Sequence, residues 1–380
     1  MAMHRRDRLL ATLRGEAVDR PPVSFYELNG LDEDPHDPDP FNIYAHPSWR
    51  PLIELTRDKT DRIVMRPASL RGAPPDPLAA LTTVETTGDE NGARVQVRTI
   101  RAGTRVLTER TRRDPDVNTV WVTEHLLKDL DDLRAYLDLP QASFGGVPDP
   151  AAILATETAL GDTGIVLIDT PDPLCLAAQL FHLADYTVIA LTEPALFRRL
   201  LDRFAAELLP RTEAVARALP GRLWRIYGPE YASPPYLPPR LFREYVTPYV
   251  TEMVTAIQRW GGFARVHCHG RIRAILDDIA ATGCTALDPI EPPPQGDVQL
   301  HEVRERVGRQ MVLFGNLEAS DIELLPTPEF RAKVERALAE GTAGQGRGFV
   351  LMPSACPYGR ILAEQTLRNY ETIIDVVERW

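Results

Sequence analysis

The chain has 380 residues, 44% hydrophobic and 26% charged, with a formal net charge of −11. That composition can bury a large core, while the acidic balance repels polyanions and argues against nucleic acid or an anionic membrane as partner. No apolar run is long enough to span a bilayer, the first residues lack the apolar stretch of a signal peptide, and Cys175, Cys268, Cys284 and Cys356 follow no disulfide-framework spacing. A cytoplasmic protein with free thiols is expected.

Residues 4–14 read as an amphipathic helix, with Leu9, Leu10 and Leu13 on one face and Gly15 as its stop. Asp19-Arg20-Pro21-Pro22 then leads into a short strand, Val23 to Tyr26, and residues 30–50, rich in Asp, Pro and His, read as a long surface loop. From about 80 to 123 the pattern changes to period-two segments, Val95–Ile100, Val106–Glu109 and Thr119–Thr123, separated by turn residues. This is expected to be a small antiparallel β insertion, followed by a helix from Lys128 to Leu137.

Beyond residue 150 strands and helices alternate. Strands are expected at 165–168, 223–226, 263–266, 286–287, 311–314 and 349–352. Helices are expected at 174–181, 194–216, 241–260, 272–282, 328–340 and 363–377, with a Pro-rich loop at 229–239. The alternation implies a parallel sheet. The whole of 1–380 reads as a single domain, a (β/α)8 TIM barrel with an N-terminal helical extension and the β insertion. No Gly-x-Gly-x-x-Gly or P-loop pattern follows a strand.

Barrel enzymes place their chemistry at the C-terminal strand ends. The informative stretch there is Arg265-Val-His267-Cys-His269-Gly270. Side chains alternate along a strand, so His267 and His269 point one way and Cys268 the other. Two imidazoles can form half of a metal site, and a catalytic zinc needs a third protein ligand. Cys356, after the last strand, could supply it; Cys268 could do so instead if the strand ends early. Unliganded readings stand beside these: a His-x-His pair often holds no metal, and a lone Cys is most often buried packing. Cys175 and Cys284 read as core.

Other polar groups also follow strands. Asp169 and Glu230 are candidate acids or bases, with capping or turn roles equally open to Asp169 and Asp172. Asp172, Tyr227 and Asn316 are candidate substrate contacts.

Together, Arg6-Asp-Arg-Leu-Leu10, Asp19–Val23, Pro171–Leu180, Glu193-Pro194, Leu241–Pro248, His267–Gly270, Phe314-Gly-Asn316, Phe349–Cys356 and the last helix around Asn369 resemble the uroporphyrinogen decarboxylase superfamily. The decarboxylase branch carries an Arg-Gln-Ala-Gly-Arg segment where this chain has Ser24–Gly30 without arginine. The resemblance therefore points away from porphyrinogen decarboxylation and towards the corrinoid- and coenzyme M-type zinc methyltransferases. By that resemblance His267 and Cys356 match two zinc ligands, and His269 stands where the branch has a Cys. It implies a zinc-dependent methyltransferase moving a methyl group between a small substrate or a thiol or pterin and a corrinoid carried by a partner protein, since no Asp-x-His-x-x-Gly pattern occurs here. A metal-independent decarboxylase or lyase of a small acid, and a non-catalytic binding protein, are the competing expectations. A homodimer is an expectation from the barrel class alone.

Overall fold

The computed structural model describes residues 3–380. Its strands, in chain order, are β1 (Arg62–Pro67), β2 (Ser69–Arg71), β3 (Thr82–Gly88), β4 (Arg94–Ala102), β5 (Arg105–Arg113), β6 (Val120–Glu124), β7 (Val147–Asp149), β8 (Gly164–Pro171), β9 (Leu223–Tyr227), β10 (Phe263–His267), β11 (Ala286–Asp288), β12 (Val312–Leu317) and β13 (Phe349–Pro353). Seven of them form one curled parallel sheet in the order β1-β8-β9-β10-β11-β12-β13. The architecture is α/β, consistent with a TIM-like barrel. No helix is long and apolar enough to cross a membrane among the described residues.

The two outer strands of this sheet meet at the segment Pro22–Ser24. Leu351 of β13 donates to the Pro22 carbonyl at 2.9 Å and accepts from Ser24 at 3.0 Å, while Asp61, just before β1, donates to the Val23 carbonyl at 2.7 Å. The expected strand 23–26 is thus a single parallel bridge, Val23 to Leu351, in the seam between β13 and β1. Two prolines before it leave few backbone donors for a longer ladder.

Alternation sorts the strand residues. Ile63, Ile165, Leu167, Leu223, Ala286, Val312, Phe314, Val350 and Met352 pack on one another inside the curl, together with Leu9 and Leu13 of the helix Arg5–Arg14. The opposite parity, including Val64, Val166, Ile168, Trp224, Ile226 and Val266, packs against the surrounding helices. The first helix is therefore a plug: Leu9 and Leu13, four apart, lie on one face and enter the inner cluster, and Gly15 closes it at φ 76°.

Several expectations change. The insertion is a four-stranded antiparallel sheet, β3 to β6, and its first strand, Thr82–Gly88, carries too few apolar residues to be read. The expected helix 241–260 is two helices, Pro239–Tyr245 and Thr247–Arg259, because Pro248 has no N–H and its ring clashes one turn back. The loop 30–50 holds only two short helical turns, Ile43–Ala45 and Pro47–Trp49, while the helix Arg50–Lys59 that follows it and β1 were not anticipated.

Asp61 ties this seam together. It is fully buried and accepts from Arg8 Nη1 at 2.5 Å, from Arg20 Nη1 at 2.9 Å and from the Val23 amide at 2.9 Å. Arg8 is itself buried. Removing the carboxylate leaves Arg8 only its pair with Asp19 and leaves the buried Val23 amide without its side-chain acceptor, so Asp61→Ala is expected to cost about 3 kcal/mol in urea unfolding. A loss below about 1 kcal/mol, the worth of a solvent-exposed pair, would contradict the role assigned to it.

Candidate active site

Register brings polar groups to one level at the C-terminal rim. His267 stands opposite Tyr227 on one side and Asp288 on the other, and one layer below, Arg225 pairs in register with Asp169 and with Arg265. Arg265 and Asp288 are completely buried, with Nε 3.1 Å from Oδ1 in an ion contact that lacks hydrogen-bond alignment. The other Asp288 oxygen sits 2.8 Å from His267 Nδ1. Burial alone would raise the Asp288 carboxyl, but Arg265 and His267 outweigh it and hold it at about 2.

His269 repeats the arrangement one step up. Its Nδ1 lies 2.8 Å from Glu291 Oε1, and the other Glu291 oxygen accepts from the Gly270 amide at 2.6 Å. Burial lowers the His269 pKa, but the bond to Glu291 and the charges of Glu291, Glu230 and Asp288 more than offset it, so the net shift is upward. The two imidazoles meet edge to face, centroids 4.5 Å apart. With both Nδ1 atoms turned to carboxylates, both Nε2 atoms face away from those partners; Tyr26 Oη is 3.5 Å from that of His267.

The loop that delivers Asp288 and Glu291 is strained. Ile290 between them has φ 60°, a left-handed conformation that a β-branched side chain rarely adopts. Glu27, the other non-glycine with positive φ, also reaches into the site. Its Oε1 is 3.5 Å from Arg225 Nη1 and its Oε2 is 3.6 Å from the Cys356 sulfur. Burial and then the Glu27 charge push the Cys356 thiol upward, which favours S–H donating to Glu27.

The sequence-derived candidates distribute unevenly. His267 and His269 come together. Cys356 lies at the rim against Glu27. Among the described residues no group of three or more His, Cys, Asp or Glu side chains stands together as an ion would need. Asp169 spends both oxygens on Arg225, at 2.6 and 2.9 Å, while Arg225 also donates to Tyr26. Asp172 is fully buried and caps the helix Pro173–Ala178 through the Cys175 amide at 2.7 Å. Burial, with the Glu230 charge adding, lifts its carboxyl well above the usual range. Glu230 accepts from the Gly228 amide at 2.9 Å. Burial raises Tyr227 to about 12, so its phenol stays protonated. Asn316 lines a cavity of about 180 Å3 behind the rim, with Glu318 and Lys333.

Tyr26, Glu27, Asp288, Glu291 and Glu318 were not anticipated. The only signal for the two His partners was spacing: one carboxylate ends the next strand and the other lies just beyond it, 21 or 22 residues after its imidazole.

The Cys356 loop is clamped from outside. Arg360 donates to the carbonyls of Pro40, Asn42 and Pro115, and the Trp49 indole donates to the carbonyls of Gly359 and Arg360 at 3.2 and 3.1 Å. The Asn118 amide, between β5 and β6, donates to the Tyr358 carbonyl at 2.7 Å.

Burial and then the charge of Glu291 raise the Glu318 carboxyl to about 7 against the bond from Ser354, and its Oε1 has no partner. Between its unfolded value near 4.5 and about 7 the folded chain holds the extra proton, so stability falls as pH rises through that window. The gap corresponds to at most about 3 kcal/mol. Glu318→Gln is expected to raise the thermal midpoint above pH 7 and leave it unchanged below pH 4.5, flattening that pH profile. Equal effects at both ends would refute the assignment.

A family model described as uroporphyrinogen decarboxylase (URO-D) matches residues 115–380. Comparison with curated proteins gives no match. Among solved structures, a methyltransferase from Methanosarcina mazei is similar, with a TM-score of 0.61, 18% identity and 99% of each chain covered. An L-ribulose 3-epimerase follows with a TM-score of 0.38, 14% identity, and 66% and 91% covered. The chain belongs to the uroporphyrinogen decarboxylase family.

Proposed function

From that membership we propose that the chain is a methyltransferase whose centre is the His267–His269 pair, with zinc as its resident metal. The observation that carries the reading is the matched pair of carboxylate-backed imidazoles, each Nδ1 fixed at 2.8 Å by an acid on the next loop. Carboxylates in that position are the usual outer partners of metal-bound histidines, orienting the ring and raising its basicity. The donor set fits at the two imidazoles; Cys356 is the third ligand by resemblance. Further support is the fold shared with a methyltransferase structure. We also read the seam at Pro22–Ser24 as the eighth position of a closed (β/α)8 barrel.

Zinc, when bound, would supply a Lewis acid that lowers the pKa of a coordinated thiol or water. The chain's own groups do the rest. Asp288 and Glu291 hold His267 and His269 with their Nε2 atoms available. Glu27 Oε2, 3.6 Å from the sulfur, is placed to receive the Cys356 proton. Asp169 and Tyr26 hold Arg225 one layer below the imidazoles, where it braces the floor of the site. The methyl group would pass between a small substrate or thiol and a corrinoid carried by a separate protein docking at the barrel mouth. Ser24–Gly30, which carries Tyr26 and Glu27 and no arginine, offers no cationic grip for porphyrinogen propionates.

A second reading, a metal-independent lyase of a small acid, draws on one observation: the Cys356 sulfur contacts Glu27. Metal analysis separates the two. Purified protein is expected to hold one zinc per chain, His267→Ala and His269→Ala to lose it, and Asp288→Asn and Glu291→Gln to weaken it by about 10- to 100-fold in chelator competition. His267→Ala retaining full zinc would overturn the first reading; activity that survives chelation would establish the second.

A further inference from the structure

Beside the rim, a cavity of about 240 Å3 lies between the C-terminal ends of β1, β8 and β9 and the helix Pro194–Ala218. Its apolar wall includes Pro67, Ile168 and Val215, and Asp169 and Tyr227 border it on the active-site side. Two donors in its lining are under-used. The Trp224 side chain is buried, and its Nε1–H has no hydrogen-bond partner among the described residues. Arg211 donates to the Ala68 carbonyl at 2.7 Å and makes no ion pair among the described residues.

A buried N–H left unmade costs free energy, and a guanidinium without a carboxylate partner is an open anion receptor. The carboxylate in the lining, Asp169, is paired with Arg225 through both oxygens and bonds to neither donor. The cavity thus combines two under-used donors and an apolar wall, and it shares Asp169 and Tyr227 with the catalytic rim.

We propose that this cavity is a carboxylate subsite, in which Arg211 and the Trp224 indole N–H receive the acid group of a small substrate whose reacting end lies at the rim. The inference names the substrate class for the methyltransferase reading and rests on it only for turnover. Binding itself needs neither zinc nor a corrinoid partner. The occupant is a compact monoacid: the volume suits a short apolar stem, and one guanidinium balances one carboxylate.

The test is an NMR titration of the Trp224 indole N–H. The chain has five tryptophans, and the signal missing from Trp224→Phe identifies it. Butyrate is expected to shift that signal at millimolar concentration, the range for a ligand of so few atoms, and butyramide, its neutral isostere, to leave it in place. Arg211→Met should weaken butyrate at least about tenfold, the loss of one charge-assisted bond, and Arg211→Lys should restore part of it. Equal shifts from the amide, undiminished binding to Arg211→Met, or a signal indifferent to butyrate would each overturn the proposal, the last leaving the cavity to water. If Arg211→Met does not fold, the acid-against-amide comparison on the wild-type chain decides alone. Zinc content is unaffected by either result, so a failed subsite and a failed metal centre are told apart.

Discussion

The ion contact between Arg265 and Asp288 is the constraint around which the rim is organised. Both groups are completely buried, and neither could stay charged there alone. Asp288 can serve His267 only because Arg265 keeps it ionised, and Arg265 can lie in the curl only because Asp288 neutralises it. The same logic repeats beside it: Arg225 is balanced by Asp169, and His269 by Glu291. Apolar residues of similar volume would pack the barrel at least as stably. The network makes sense as a device that sets the direction of two imidazole rings.

Those rings also explain why the supporting loop is strained. Asp288 ends a three-residue strand and Glu291 comes three positions later. Asp288 meets His267, the last residue of β10, and Glu291 meets His269, two residues beyond it, and between the two acids the chain passes through Ile290 in a left-handed conformation. Burial of Ile290 on the helix side compensates for the backbone cost.

How much of this was legible follows from the range of each interaction. The pairing of His267 with His269 depends on strand alternation, a local rule, and it was readable. So were the plugging helix and its glycine stop. β1 was not, because Ile63-Val64-Met65 is a short apolar run between arginines. Nor was the seam at Val23, whose status is set by Leu351, more than three hundred residues away. The acids behind the imidazoles were invisible for the same reason: a Glu or Asp after a strand looks like any loop residue until the sheet register is known. Asp172 shows the converse. Its Asp-Pro sequence is a cap signature, and the structure puts it in that role.

The Arg360 clamp gives the β insertion an unexpected part. Three carbonyls from two distant stretches, 40–42 and 115, converge on one guanidinium next to the loop that carries Cys356. The antiparallel sheet is thus tied to that loop, Pro115 beyond β5 and Asn118 before β6 each bonding to the stretch 358–360. Without the sheet, the stretch behind the thiol would lose the moorings on its outer side and keep only those to Pro40, Asn42 and Trp49.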